Sequence, residues 1–444
     1  MRPVSQKIDR LDVVFDEPNL VANAGLLTVA TLIDRLGLEG LVDESVKLGD
    51  RPGAANPGRK FLTLLATLIA GGSHIDHAAM LRAGDTRRIL GFEVVAGSTL
   101  GTFLRLFTWG HVSQLNKVFT ESLRRVWAQG VGPGDDRLVI DLDSTICEVS
   151  GARKQGAGYG HTSQLSYHPL IASRGDTGEI VGVRLRGGGS QKGNKHFVAE
   201  VVARTRKAGA AGPILLRADS GFWSRPLIDK CIKLGVDYLI TVKLNKTIKT
   251  VIAGIADTAW EKTGSNGDGT VEVASTTYVI KGANGQGHRP LQVRLVVRRS
   301  PVNTTQTPLF PTYEHRAYVT SLTGPLDTID ADHRHHAVVE LAIRNLKEGA
   351  GLSHLPSGHF AANAAWLVAT ALAHNLTTWT NLLGDPDNQP TLTVATSFRT
   401  QFINIPGRLV NRAGRPTLRL PTNWPWIQRF GTILTRLRSL PQIA

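Results

Sequence analysis

The amino-acid sequence predicts a mixed α/β protein with a β-rich insertion, a helical N-terminal region and a basic C-terminal segment. Three observations support this class. Apolar residues recur at helical spacing from about Ala24 to Gln129; period-two segments begin at Arg137 and then alternate with helical ones; and Gln389 to Ala444 holds eight arginines and no Asp or Glu.

In the N-terminal region, Pro, Gly and Asn break the helical pattern at Arg51–Gly58, and a second break falls at Leu90–Phe92. Ala96–Phe107 reads as a turn leading into a short helix that presents Arg105; a helix-turn-helix and an ordinary packing helix both fit it. From Arg137 the spacing changes. Leu138, Ile140 and Leu142 face one side of a strand, and Val139, Asp141, Asp143 and Thr145 the other. Strands over Ser166–Ser173 and Ile180–Arg186 flank the turn residues Arg174–Gly178 and predict a hairpin. A helix (His196–Lys207), a strand (Pro213–Ala218), a helix (Arg225–Leu234) and a strand (Asp237–Val242) follow, the alternation of an α/β sheet.

After a helix over Lys246–Ile255, alternating segments at Val271–Ile280 and Leu291–Val297 are joined through Gly282–Gly287, whose Asn-Gly is a hairpin signal. A strand at Arg316–Ser321 returns to the α/β pattern, and two long helices are expected over Asp330–Glu348 and Phe360–Leu383. The predicted organisation is therefore a helical region 1–130, a first core part 131–245, a β-rich insertion 246–312, a second core part 313–386 and an arginine-rich segment 387–444. Trp424 and Trp426 make that last segment too aromatic for a disordered tail.

With 444 residues and 41% apolar content, the chain can bury large cores. Its 51 basic against 36 acidic residues, a net charge of +15, favour a polyanionic partner, nucleic acid first. Cys147 and Cys231 lack the spacing of a disulfide framework or a thiolate zinc site and read as buried thiols in a reducing cytoplasm. The longest apolar stretches, Phe61–Ala70 and Ala361–Ala373, are shorter than the roughly 18 residues of a membrane span, so no membrane association is expected.

Three acids stand out: Asp143 in Leu138–Thr145, Asp219 in Ile214–Gly221, and Glu340 in Asp332–Lys347. A buried strand has no folding use for an unpaired carboxylate at its inner end, because desolvating the charge is costly; a bound divalent cation removes that cost. On one ideal helix, at about 100° per residue, His333, His336, Glu340, Arg344 and Lys347 form a single polar stripe. Val339, Leu341, Ala342, Ile343 and Leu346 form the face to be buried. The stripe fits either a metal and phosphate site or a solvated amphipathic helix.

Asp143 followed by Ser-Thr, Asp219 followed by Ser-Gly-Phe, and Glu340 with Lys347 seven residues later resemble the DDE transposases of bacterial insertion sequences. The similar branch carries a Y-x2-R-x3-E-x6-K signature and a β-rich insertion between the second Asp and the Glu. Gly193-Asn194 and the end with Leu420–Trp426 also resemble one subgroup of it. Glu340 and Lys347 match the signature, whereas His333 stands in place of its Tyr and His336 in place of its Arg.

The resemblance implies a ribonuclease H-like core in which Asp143, Asp219 and Glu340 are the catalytic residues and hold Mg²⁺, with Mn²⁺ as a substitute. It implies phosphate contacts from His333 and His336, assisted by Arg334 or Arg344, and from Lys347. The partner it implies is double-stranded DNA at the transposon ends and target, held by a homodimer in the synaptic complex. Arg408, Arg412 and Arg415 are further DNA-contact candidates from the acid-free segment, alongside the helical N-terminal region as a DNA-binding domain.

Other residues compete for these roles. Asp141 shares the strand face of Asp143 but lies farther from the strand's end, and Asp237, Asp330 and Asp332 read as turn or cap residues. Lys192 and Lys195 suit a phosphate-holding or a solvated loop, and Gly151–Gly160 lacks the ending of a P-loop. Trp260 is a candidate for base stacking or for the core, and His374 with Asn375 for a satisfied polar pair. Two other classes compare with a transposase: a DNA-binding protein that has lost the chemistry, and a two-carboxylate glycosidase. The glycosidase leaves the basic end unexplained and has only 6% aromatics from which to build a sugar groove.

Overall fold

The computed structural model describes residues 11–443 apart from 152, 161–162, 191, 267–268, 282–288, 303–312 and 389–391. The N-terminal region is helical, as its periodicity predicts: Leu26–Arg35, Leu38–Ser45, Pro57–Ile69, Gly97–Arg105 and a long helix α1, Trp109–Val126, are its main elements. Gly97–Arg105 packs inward through Leu100, Phe103 and Leu104 and leaves Arg105 exposed.

Nine strands then form one mixed sheet. They are β1 (Leu138–Ser144), β2 (Leu170–Arg174), β3 (Ile180–Arg184), β4 (Ile214–Ala218), β5 (Asp237–Thr241), β6 (Glu261–Asn266), β7 (Gly269–Ile280), β8 (Leu291–Pro301) and β9 (Tyr313–Thr320). The spatial order is β6-β7-β8-β9-β5-β4-β1-β2-β3. β4 runs parallel to both β1 and β5; the other neighbours are antiparallel. The β-rich insertion therefore extends the central sheet, because β9 pairs with β5 at Tyr318–Thr320. The predicted Asn-Gly turn lies outside the described residues, although the strands on either side of it do pair as a hairpin. Every residue of β4 is buried, which is why a parallel central strand reads as a nearly continuous apolar run.

Helices α2 (Asn194–Ala208) and α3 (Arg225–Leu234) alternate with these strands, and α4 (Leu326–Arg334) and α5 (Val338–Arg344) follow them. The single helix expected over Asp330–Glu348 is broken instead. A 3₁₀ turn at His335–Ala337 separates α4 from α5, and a π turn at Asn345–Gly349 follows. Helix α6 (Phe360–Gly384) is buried at every position from Ala362 to Gly384, and α7 (Ile427–Ser439) closes the chain. An all-round apolar helix must lie at the centre. α6 touches Pro57–Ile69, α1, β3 and α7, and one continuous core runs from Val21 to Leu437. The pattern changes near 130 and 386 thus fall within a shared core.

Glu179, fully buried in the β2–β3 turn, ties three of these parts together. Its Oε1 accepts from the indole N–H of Trp127 after α1 (3.0 Å) and of Trp379 in α6 (2.8 Å); its Oε2 accepts from Arg174 (3.2 Å) and Thr177 (3.1 Å). Asn375 in α6 brackets the backbone of Ile180, and His374 Nε2 bonds the Gly178 carbonyl, so the expected polar pair docks the turn on α6. Glu179→Ala would remove one of the two carboxylates on buried Arg174, which keeps Asp176, and leave two buried indole donors without their acceptor. It should lower unfolding free energy by about 3–5 kcal/mol in urea titration, with Glu179→Gln losing clearly less.

Candidate active site

Asp143 is the next-to-last residue of β1, and Asp219 follows the last residue of β4. The two parallel strands pair Leu142 with Ala218, so the next positions, Asp143 and Asp219, emerge side by side at the same edge. Glu340 comes from α5, which packs on β1 and β2 through buried Val339, Ala342 and Ile343 while Glu340 stays exposed. Leu341, expected on the buried face, is 37% exposed, because on α5 it lies at the edge of the arc whose centre is Val339, Ala342 and Leu346.

Burial pushes the Asp143 carboxyl up to about 6, against a hydrogen bond from the Ser144 amide. The negative charges of Asp219 and Glu340 raise it further, and His336 opposes them. The three carboxylates therefore share one electrostatic neighbourhood. Among the described residues none of them has an ion-pair partner; Asp143 accepts from the Ser144 amide (2.6 Å) and Asp219 from the Gly221 amide (3.0 Å). Among the described residues, as they stand, no group of three or more His, Cys, Asp or Glu is arranged so that it could hold a metal ion. An all-oxygen donor set of this charge nevertheless fits a hard divalent cation that keeps several waters.

Asp141 is excluded as a ligand by its bonds. Fully buried, it accepts two bonds from Arg217 (2.6 and 2.7 Å) and a third contact from His336 Nδ1 (2.8 Å). Arg217 also donates to the Asp332 carbonyl (2.6 Å) at the end of α4. This clamp holds the end of α4 and the turn that follows it against β1 and β4. Sequence reasoning missed Arg217; the available signal was one opposite charge in the middle of each of two buried strands that turn out to be register partners.

The two histidines read as phosphate contacts are engaged within the protein. His333 stacks on Tyr318 (4.1 Å, 11°) and bonds Thr241 Oγ1 (2.9 Å), and burial lowers it to about 4, so it is a neutral packing residue. His336 faces Asp141. Arg334 pairs with Asp330 (3.2 Å), and Lys347 donates to the Ile146 carbonyl (3.0 Å), bracing the turn after Asp143. Arg344 is exposed and has no partner among the described residues. Asp330 is no cap: it is fully buried and takes Arg298 (2.5 Å) and the Tyr318 hydroxyl (3.3 Å). Asp332, within α4, pairs with Arg137 (2.9 Å), and Asp237, read as a turn or cap residue, is instead the first residue of β5 and accepts from Ser321 (2.8 Å).

Trp260 lies beneath the Arg299 guanidinium (4.1 Å), which also covers Tyr313. Lys192 and Lys195 are exposed beside Gly193-Asn194, where Arg186 donates to the Asn194 side chain (3.1 Å). Cys147 and Cys231 are buried, and burial pushes both thiols up to about 12.

The chain matches the family described as Transposase DDE domain group 1 over residues 4–442. It belongs to this family of DDE transposases. No curated protein matches it. Among solved structures, the piggyBac transposase synaptic complex with hairpin DNA is similar with a TM-score of 0.46 at 11% identity, over 86% of this transposase and 79% of that chain. No helix among the described residues is long and apolar enough to cross a membrane.

The raised Asp143 carboxyl has a consequence for stability. In chelator the folded state holds the Asp143 proton up to about pH 6 while the unfolded chain releases it near 4, so wild type loses stability as pH rises through that window. Asp143→Asn should therefore gain on wild type between about pH 4 and 6, by up to about 3 kcal/mol in paired urea titrations. Parallel curves at every pH would contradict the placement of Asp143.

Proposed function

We propose that this transposase cleaves and rejoins DNA at the ends of its own mobile element, with Asp143, Asp219 and Glu340 as the catalytic carboxylates of a ribonuclease H-like core. The carrying observation is that the charges of Asp219, just after β4, and Glu340, from α5, both act on Asp143 at the end of β1, none of the three having an ion-pair partner among the described residues. The order β3-β2-β1-β4-β5 within the sheet, antiparallel then parallel, supports the core assignment. Family membership over nearly the whole chain supports DNA transposition.

The three carboxylates would hold one or two Mg²⁺ or Mn²⁺ ions, which when bound activate an attacking oxygen and stabilise a leaving oxygen in an in-line phosphoryl displacement. The protein's own residues do the positioning. Asp143 and Asp219 are fixed by adjacent parallel strands, and the turn leading into the helix of Glu340 by the Arg217–Asp141–His336 clamp. Lys347 steadies the loop after Asp143, and Arg344 on α5, exposed and without a partner among the described residues, suits a phosphate of the cleaved strand. Water attack would nick the element's end, and the freed 3′-hydroxyl would then attack the opposite strand or the target. Duplex DNA in the cytoplasm is the proposed substrate, with two copies bridging two ends.

The histidines do not argue for a decayed enzyme. His333 and His336 hold Thr241, Tyr318 and Asp141, so their departure from the signature serves the frame beneath the carboxylates.

A supercoiled plasmid carrying the gene with its flanking DNA tests the reading. Wild type with Mg²⁺ or Mn²⁺ should nick it at the element's ends. Asp143→Ala, Asp219→Ala and Glu340→Ala should each lower the rate at least about a thousandfold while duplex affinity stays within about threefold; nicking that survives chelator or these substitutions would refute it.

A further inference from the structure

The acid-free segment folds into a hairpin, Gly407–Arg412 with Arg415–Arg419, joined by Ala413 and Gly414. Both turn residues have positive φ (51° and 80°), the geometry of a tight two-residue hairpin turn. Leu20–Val21 pairs with the first strand, giving a three-stranded sheet.

The hairpin register sorts its side chains into two chemistries. Directly opposed pairs are Arg408 with Arg419, Val410 with Thr417, and Arg412 with Arg415; between them lie Leu409 with Leu418 and Asn411 with Pro416. Alternate residues of a strand face opposite ways. One face thus carries Leu409, which is buried, and Leu418, which packs on the core. The other carries four arginines around Val410 and Thr417, all four exposed.

Folding does not explain that second face. Like charges directly opposed across a sheet are destabilising, and here two such pairs share one surface. Arg408 is compensated by Glu17 (2.7 Å), whereas Arg412, Arg415 and Arg419 have no partner among the described residues. Of the other arginines of the segment, three are used internally: Arg399 by backbone carbonyls of Ile69 and Gly349, Arg429 by Asp385, and Arg436 by Asp387; Arg438 on α7 is exposed and has no partner among the described residues. The uncompensated charge is concentrated on the hairpin.

We propose that this arginine face is a docking surface for the phosphate backbone of duplex DNA, separate from the carboxylates and indifferent to base sequence. The proposal rests on the transposase reading for the identity of its partner. The two arginine pairs lie four residues apart, about 14 Å along the ribbon, which spans roughly four nucleotide steps of one strand's rise. Thr417 adds a hydroxyl donor between them, and the guanidinium fork suits phosphate oxygens. The apolar reverse face anchors the ribbon to the core, so the charged face is presented rigidly.

The test uses the full-length protein and a 30-base-pair duplex of arbitrary sequence, with affinity measured by fluorescence anisotropy across KCl concentrations. Each phosphate contact contributes about 0.9 to the slope of log affinity against log salt. Arg412→Gln/Arg415→Gln/Arg419→Gln should flatten the slope by about 2.7, equally for a second duplex of unrelated sequence, and should melt at or above the wild-type temperature. A control of equal charge change on exposed residues elsewhere, Lys233→Gln/Lys246→Gln/Lys249→Gln, should change the slope by less than about one contact's worth. A triple variant with the wild-type slope, or one no different from the control, overturns the docking surface. Wild type that shows the slope but never cleaves DNA with metal would sink the catalytic reading and leave the surface standing; wild type that cleaves beside an unaltered triple variant would do the reverse.

Discussion

The buried Arg217–Asp141 pair is the interaction on which the site's geometry depends. Removing two charges from water is expensive, and their attraction repays it only when geometry is good and remaining donors and acceptors are satisfied. The geometry here is good: two short parallel bonds join register partners of β1 and β4, His336 takes a further position on Asp141, and the Asp332 carbonyl accepts from Arg217 Nη1. One residue beyond the paired ends of these strands stand Asp143 and Asp219. The polar groups that bind the strands to each other therefore also bind them to the end of α4 and to the turn that leads into the helix carrying Glu340.

A second buried charge plays the corresponding part at the other end of the sheet. Glu179 joins the β2–β3 turn to α1's extension and to α6 through two tryptophans and Arg174. Because α6 also meets Pro57–Ile69 and α7, the N-terminal helices and the arginine hairpin are held in fixed relation to the sheet. That rigidity matters for an enzyme whose substrate is a long, stiff polyanion: contacts far from the reacting phosphate aid catalysis only when they are fixed relative to it.

Much of this was legible in the chain. Asp143 was separable from Asp141 by its place at the strand's end, and α3, β4 and β5 follow their apolar patterns closely. What was illegible depended on register and on helix breaks. Arg217 looks like an anomaly in an apolar strand until Asp141 is its neighbour. His333 and His336 fell on one stripe only if a single helix ran through Ala337, and the 3₁₀ turn there sends them to different partners. Asp330 resembled a cap because its partners, Arg298 and Tyr318, come from β8 and β9. The charge count of the final segment was plain, but which arginines are left uncompensated depends on pairings with Glu17, Asp385 and Asp387.

The claim at the centre is that Asp143, Asp219 and Glu340 together make one divalent-cation site. Titration of chelator-stripped full-length protein with Mn²⁺, followed by the loss of the free-ion electron paramagnetic resonance signal, measures it without any need for the element's ends. Wild type should bind one or two Mn²⁺ ions, and Asp143→Asn, Asp219→Asn and Glu340→Gln should each weaken that binding at least about tenfold without a fall in melting temperature. Equal Mn²⁺ binding by wild type and all three variants would contradict the account.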